Sequence, residues 1–275
     1  GQKRAYGSIV TYSVNPPDSV RALEDTPKEN KLKIEILVGD QVIRVIKGPM
    51  RKGLNRVGWD LSRSAFHTPT SVDSTDLEKS GIFVTPGTYK IRVNYDGKEY
   101  VQSIEVKPDP RYTPDSEGRK QTQELAMKTG RLMETAALMY KQLDETKKAI
   151  KTIADFIKNL DSTKAGELKK AGDELQKKLS AFGRKIEVDK DRQGFNDFED
   201  VIAPEINGLF YAVTSTYGAP VEGNRVKYEK IQKRVEKLAI EFNELYEKDV
   251  TVFQKKVQDS GFSIFKAVEK IEVKK

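Results

Sequence analysis

Residues 53–66, GLNRVGWDLSRSAF, gather Trp59, the only tryptophan of the chain, with Arg56, Asp60 and Arg63, and the only histidine, His67, follows directly. An aromatic ring among charged groups suits sugar stacking, and an acid near a histidine suits a nucleophilic triad. The spacing favours a quieter reading. In an alternating strand Val57, Trp59 and Leu61 share one face, and Arg56, Gly58 and Asp60 share the other. The indole is therefore expected inside the protein, as a core anchor between two sheets. His67 opens the polar run HTPTSVDSTDLEKSG and is expected to be a satisfied or solvated loop residue. A single histidine in a loop, with no Gly-x-Ser-x-Gly nearby, is a poor start for a triad. No glycine-rich turn joins a strand to a helix, so no nucleotide cradle is predicted. The 42 acidic residues offer no pair singled out for glycoside hydrolysis. No catalytic or cofactor-binding residue is assigned, and the chain is not expected to be an enzyme.

One further segment has metal-like spacing. DKDRQGFNDFED (189–200) puts Asp189, Asp191 and Gly194 on the first, third and sixth places of a calcium loop. Gln193 stands where a carboxylate is usual, Asn196 where an apolar residue links paired loops, and the shorter Asp200 where glutamate binds through both oxygens. The bland alternative is a polar loop between helices with Asp and Asn caps, and no metal ligand is assigned.

The elements that would position these residues change character midway. Residues 6–107 read in period two. SIVTYSV (8–14) is the first strand, and KLKIEILV (31–38), Gly39-Asp40 and QVIRVIK (41–47) make a hairpin. TYKIRVNY sets Tyr89, Ile91, Val93 and Tyr95 on one face, and Asp96-Gly97 turns it into KEYVQSIEV. Thr85-Pro86-Gly87-Thr88 fits a type II turn. Pro108-Asp109-Pro110-Arg111 blocks both helix and central strand, as a linker does. Apolar residues then recur every three or four positions: from Leu125 to Leu160, from Leu168 to Ile186, at Ile206, Leu209 and Val213, and from Tyr228 to Val252. In the last of these stripes Asp249 falls on the apolar side, at a wet end or paired. The predicted architecture is α+β and multidomain: an Ig/FnIII-like antiparallel β-sandwich over 1–110, an antiparallel four-helix bundle over 115–260, and a tail, 261–275, that adds a strand or packs on the bundle.

Composition bounds the rest. The chain has 275 residues, 37% hydrophobic and 33% charged, with a net charge of +7 that is spread along it. Nucleic-acid binding would concentrate that charge on one face, and is not expected. The absence of cysteine excludes disulfides, zinc thiolates and cysteine nucleophiles. No apolar run reaches the ~20 residues of a membrane helix. The opening Gly1-Gln2-Lys3 reads as the start of a fragment and leaves room for an export signal ahead of it.

The order of signals over 31–111 (VIRVIK, GLNRVGWDL, FVTPGTYKIRV, VKPDPR) resembles an immunoglobulin-like module carrying G-x-N-x-x-x-W-D and x-P-G-x-Y. Such a module occurs in flagellar hook-capping proteins. It resembles more closely the region that follows the β-propeller in bacterial sortilin-like proteins with BNR repeats, often labelled glycosyl hydrolases. There, too, Asp-Pro-Arg leads into a helical bundle, and YAVTSTYGAPVEGNRVKYEKI is similar to its helix–Pro–helix passage. The resemblance covers about 31–260. It implies a noncatalytic C-terminal portion of a larger exported bacterial protein, with an N-terminal β-propeller as neighbour and a protein or glycan as partner. None of the family's catalytic positions falls on these residues. Three functions follow as expectations: a structural or interaction module, a carbohydrate-binding module stacking sugars on Trp59 or the sandwich tyrosines, or part of a glycan hydrolase.

Overall fold

Alternating side chains and primed turns build the first part of the chain. A computed structural model describes residues 7–16, 31–71, 78–111, 115–158, 163–188 and 200–261. It is α+β, with antiparallel sheets arranged like a sandwich and four long helical rods. The tail 262–275 and residues 189–199 of the calcium-like segment lie outside the described residues.

Strands β1 (Ser8–Val14) and β4 (Gly53–Trp59) pair antiparallel, Ser8 opposite Trp59 and Val14 opposite Gly53. Strands β2 (Lys31–Val38), β3 (Gln41–Pro49), β7 (Gly87–Tyr95) and β8 (Lys98–Val106) form a sheet in the order β3-β2-β7-β8. Two short strands, β5 (Ser62–Ser64) and β6 (Ser80–Phe83), make a third, two-stranded sheet. Neither was expected from the sequence, and β6 begins within the polar run assigned to a loop. Both loops of the four-stranded sheet are two residues long. Asp96 and Gly97 take φ 52° and 69°, as a type I′ turn requires. At Gly39-Asp40 only the glycine is positive, with φ 58°, the mark of type II′. The expected type II turn at Pro86-Gly87 does not form. Gly87 has φ 158°, far from the ~80° of that turn, and begins β7 instead. The Tyr89 hydroxyl reaches back to donate to the Thr85 carbonyl at 2.6 Å and ties that corner.

Ile34 opposite Val93 and Ile36 opposite Ile91 turn the same face of the sheet inward. There they join Val14, Leu32, Ile43, Ile46, Tyr89 and Trp59 in one buried cluster. Trp59 has no exposed surface. Its ring meets Tyr89 edge-on, with centroids 5.5 Å apart, and its N–H donates to the Ser62 carbonyl at 2.9 Å.

The helices are α1 (Ser116–Ile157), α2 (Thr163–Ile186), α3 (Ile202–Thr214) and α4 (Glu222–Leu245). A π turn, Tyr246–Val250, continues α4 into α5 (Thr251–Asp259) without leaving helical backbone. Most of the expected stripes are buried in α1 to α3, including Leu143, Leu179, Ile206 and Val213 at 0% exposure, while Leu132 and Ile153 are half-buried and Leu160 lies outside the described residues. The last stripe needs correction at its end. Val250 and Phe253 are buried, whereas Val252 is half exposed. The π turn inserts one residue, so the apolar side moves on by one position. Asp249 is paired with Lys178 at 2.5 Å.

The chain divides into two compact units that do not follow its order. The first is 1–67, 73–131 and 208–227, and the second is 68–72, 132–207 and 228–275. Thus α1, α3 and α4 each contribute to both. In the first unit Phe66 packs against Gly130, where an added Cβ would collide with its ring, and edge-on to Phe210. In the second, Phe182 meets Phe242 edge-on, Tyr246 stacks on Phe242, and the Tyr246 hydroxyl hydrogen-bonds Thr146 at 2.8 Å.

Candidate functional site

The residues that first suggest chemistry turn out to hold the fold. With its indole enclosed, Trp59 cannot stack on a sugar, which removes the leading residue of the carbohydrate reading. Gly53 takes φ 91° where the chain enters β4. Asn55 is buried and braces that entry: its amide donates to the carbonyls of Arg51 and Gly53, and its oxygen accepts from the Arg51 N–H. Arg56 is exposed, Arg63 lies half-buried on β5, and His67 is partly buried in the coil beyond it. Asp60 leaves the strand instead of continuing it. Leu61 adopts φ 57°, and Asp60 accepts from the Ser62 N–H and hydroxyl at 3.2 and 2.6 Å.

Asp60 also belongs to a half-enclosed polar cluster. The buried Arg44 donates to the Ser80 hydroxyl at 2.9 Å, which donates to Asp60. Arg44 and Asp60 themselves stand 3.7 Å apart. Burial pulls the Arg44 guanidinium below its ordinary range, while Asp60 and Glu78 oppose that pull. The Asp60 carboxyl lies below its ordinary value: burial works against this, but the hydrogen bonds from Ser62 and Ser80 and the charge of Arg44 outweigh it. The cluster joins β3, β6 and the end of β4, and the Nε and Nη1 of Arg44 are buried there without a hydrogen-bond partner among the described residues. Asp60 and Glu78 are the acids acting on Arg44, and Glu78 is itself paired with Lys47. Of the calcium-like segment only Asp200 is described, and it is exposed. No group of three or more potential metal ligands occurs among the described residues.

A more open surface surrounds the first turns of α1. Thr85, Pro86, Pro108, Ser116, Arg119 and Lys120 line a pocket of ≈ 240 Å³. Two prolines supply rigid apolar walls, and two cations supply the charge. The Arg119 guanidinium lies 4.1 Å from the centre of the Tyr217 ring, a cation–π contact of about 0.5–1 kcal/mol at an exposed site. Tyr217 is 57% exposed and Phe83 is 63% exposed. The segments that carry them are tied to α1: Thr122 donates to the carbonyl of Gly218, next after Tyr217, at 2.6 Å, and Gln123 reaches the Phe83 carbonyl at 3.5 Å. Arg225 donates to Gln121 at 2.8 Å, fixing the start of α4 beside the same helix. Next to the pocket, Arg111 binds both oxygens of Asp109 and holds that carboxyl at about 2. The surface thus combines exposed aromatic rings, proline walls and arginine. Aromatic residues and arginine are enriched at the centres of protein interfaces.

Sequence reasoning missed this surface. Its members come from 83–86, 108, 116–120 and 217, segments that no period connects. Pro86 and Pro108 were legible as turn and linker signals, and Arg119 as one cation among many.

No helix among the described residues is long and apolar enough to cross a membrane. Comparison with protein-family models, with curated proteins and with solved structures finds no match.

Proposed function

We propose that this chain is a noncatalytic interaction module, and that it docks a protein partner on the surface around the start of α1. The observation that carries this reading is the Arg119–Tyr217 pair beside the proline-walled pocket. The inward packing of Trp59 supports it further, because the strongest sugar-stacking candidate belongs to the core. In finer terms the strands make an immunoglobulin-like or FnIII-like sandwich. The central tryptophan and the Tyr89-to-Thr85 tie, akin to the tyrosine corner of such domains, support that assignment. The four helical rods make an antiparallel bundle, supported by the edge-on meeting of Phe182 and Phe242. The chain is the C-terminal part of a larger exported bacterial protein, and the partner is a neighbouring domain such as a β-propeller. These last two points rest on the sequence resemblance.

The test is photo-crosslinking in the parent protein in its own cells. A crosslinking residue replaces Tyr217, and a control replaces Ile240, which is equally open at 61% exposure. An adduct with a protein segment is expected at 217 and not at 240. Arg119→Ala, probed from position 83, is expected to lower adduct yield about tenfold, as loss of an interface anchor does. Equal labelling at 217 and 240 would sink the proposal.

A further inference from the structure

Strand β8 ends the four-stranded sheet, and among the described residues no strand pairs with its outer edge. The two-residue hairpin at Asp96-Gly97 decides which backbone groups that edge presents. Tyr95 and Lys98 flank the turn and exchange both hydrogen bonds, so the even-numbered residues of β8 bond to β7. The amides and carbonyls of Glu99, Val101, Ser103, Glu105 and Lys107 therefore point outward. Residues 100–104, YVQSI, contain no charge, proline or glycine, and Tyr100 and Val101 are more than half exposed. Natural edges are usually blocked by a charge, a bulge or a proline. Here the charged residues Lys98, Glu99, Glu105 and Lys107 stand only at the two ends.

We infer that β8 pairs antiparallel with β8 of a second copy of this chain, about a two-fold axis at Ser103. The register follows from the charges. Bonding through the outward groups requires odd-numbered residues to face odd-numbered ones. A two-fold at Gln102 would set Glu99 against Glu105 twice. A two-fold at Ser103 sets Glu99 against Lys107, Tyr100 against Val106 and Val101 against Glu105, each twice by symmetry. Opposite charges and aromatic–aliphatic pairs across strands stabilise pairing, and like charges destabilise it. Centres farther along the strand shorten the paired stretch. Pro108, next after Lys107, ends the pairing because it lacks an N–H. The product is a sheet continuous across the two-fold. It does not involve the Arg119–Tyr217 surface, so neither proposal depends on the other.

Sedimentation equilibrium of the whole chain over a range of concentrations tests the inference, with circular dichroism melting as a check on folding. The wild-type chain is expected to dimerise. Glu99→Lys and Lys107→Glu should each raise the dissociation constant about tenfold, since each change places like charges opposite one another at two symmetric positions. The double variant reverses both partners and should return to within about threefold of wild type. Ser103→Pro removes an N–H that does not bond to β7, and should abolish the dimer while the melting transition remains. A monomer at every concentration, indifference to the single reversals, a double variant as weak as the singles, or a dimer that survives Ser103→Pro would each overturn it.

Discussion

At the scale of single residues, Glu35 and Asp60 are expected to make the fold weaken in acid. Glu35 is buried on β2 and accepts from Arg92 at 2.7 Å, with Lys33 at 2.8 Å. Lys33 and then Arg92 hold its carboxyl below the ordinary value of 4.5, against the opposing pull of burial. Asp60 is likewise lowered from 3.8. A carboxyl with a depressed folded pKa binds its proton more readily in the unfolded chain. Its contribution is complete above the ordinary value and is lost as pH falls through the lower folded one. The urea midpoint is therefore expected to be flat above about pH 5 and to fall steadily below pH 4.5. Glu35→Gln should flatten that fall, while lowering the midpoint at neutral pH. An unchanged acid slope in Glu35→Gln would contradict the assignment. Neither environment was legible in the sequence. Glu35 was one residue of a strand read only as part of a hairpin, and Asp60 stood on the face opposite Trp59. What enclosed them was a cross-strand arginine in one case and an unforeseen short strand in the other.

At the scale of elements, regular periods were legible and their interruptions were not. The two hairpins could be read because Gly39-Asp40 and Asp96-Gly97 are local turn chemistry, independent of the rest of the chain. Strands β5 and β6 escaped notice because three or four residues, mostly serine, arginine and glycine, display no alternation. The π turn escaped for a different reason. Phe242, Tyr246 and Val250 recur every four residues, a longer spacing than the 3.6 residues of an α-helical turn, and the extra residue of the π turn absorbs the drift. A strict 3.6-residue period chooses Val252, whereas the structure buries Val250 and Phe253. Phe253→Ala is accordingly expected to cost about 3–5 kcal/mol, and Val252→Ala to stay within about 0.5 kcal/mol. Denaturant titration of the two variants decides the register, and comparable losses at both would refute the π turn. The candidate docking surface is harder still to read from sequence. Each of its segments has a sufficient local explanation as turn, linker or solvated helix, and only folding brings Arg119 over Tyr217.

At the scale of the whole molecule, the first compact unit draws on three separated stretches, 1–67, 73–131 and 208–227. The strands alone lack the helical segments that cover Phe66. A fragment ending at Arg111 is therefore expected to melt several degrees below the whole chain, over a broader range, because it loses the Phe66–Phe210 ring pair and the wall at Gly130. Differential scanning calorimetry of fragment and whole chain makes the comparison, and identical transitions would show the strands to be self-sufficient. The same division bears on synthesis. The bond from Arg225 to Gln121 closes over 104 residues, and the Phe66–Phe210 pair closes over more chain still. On the ribosome strands β1 to β8 emerge long before residues 208–227, and contacts so distant in sequence form late and slowly. A nascent chain thus holds its sheets for much of translation with one flank bare, a window in which a chaperone or a premature partner would find Phe66 first.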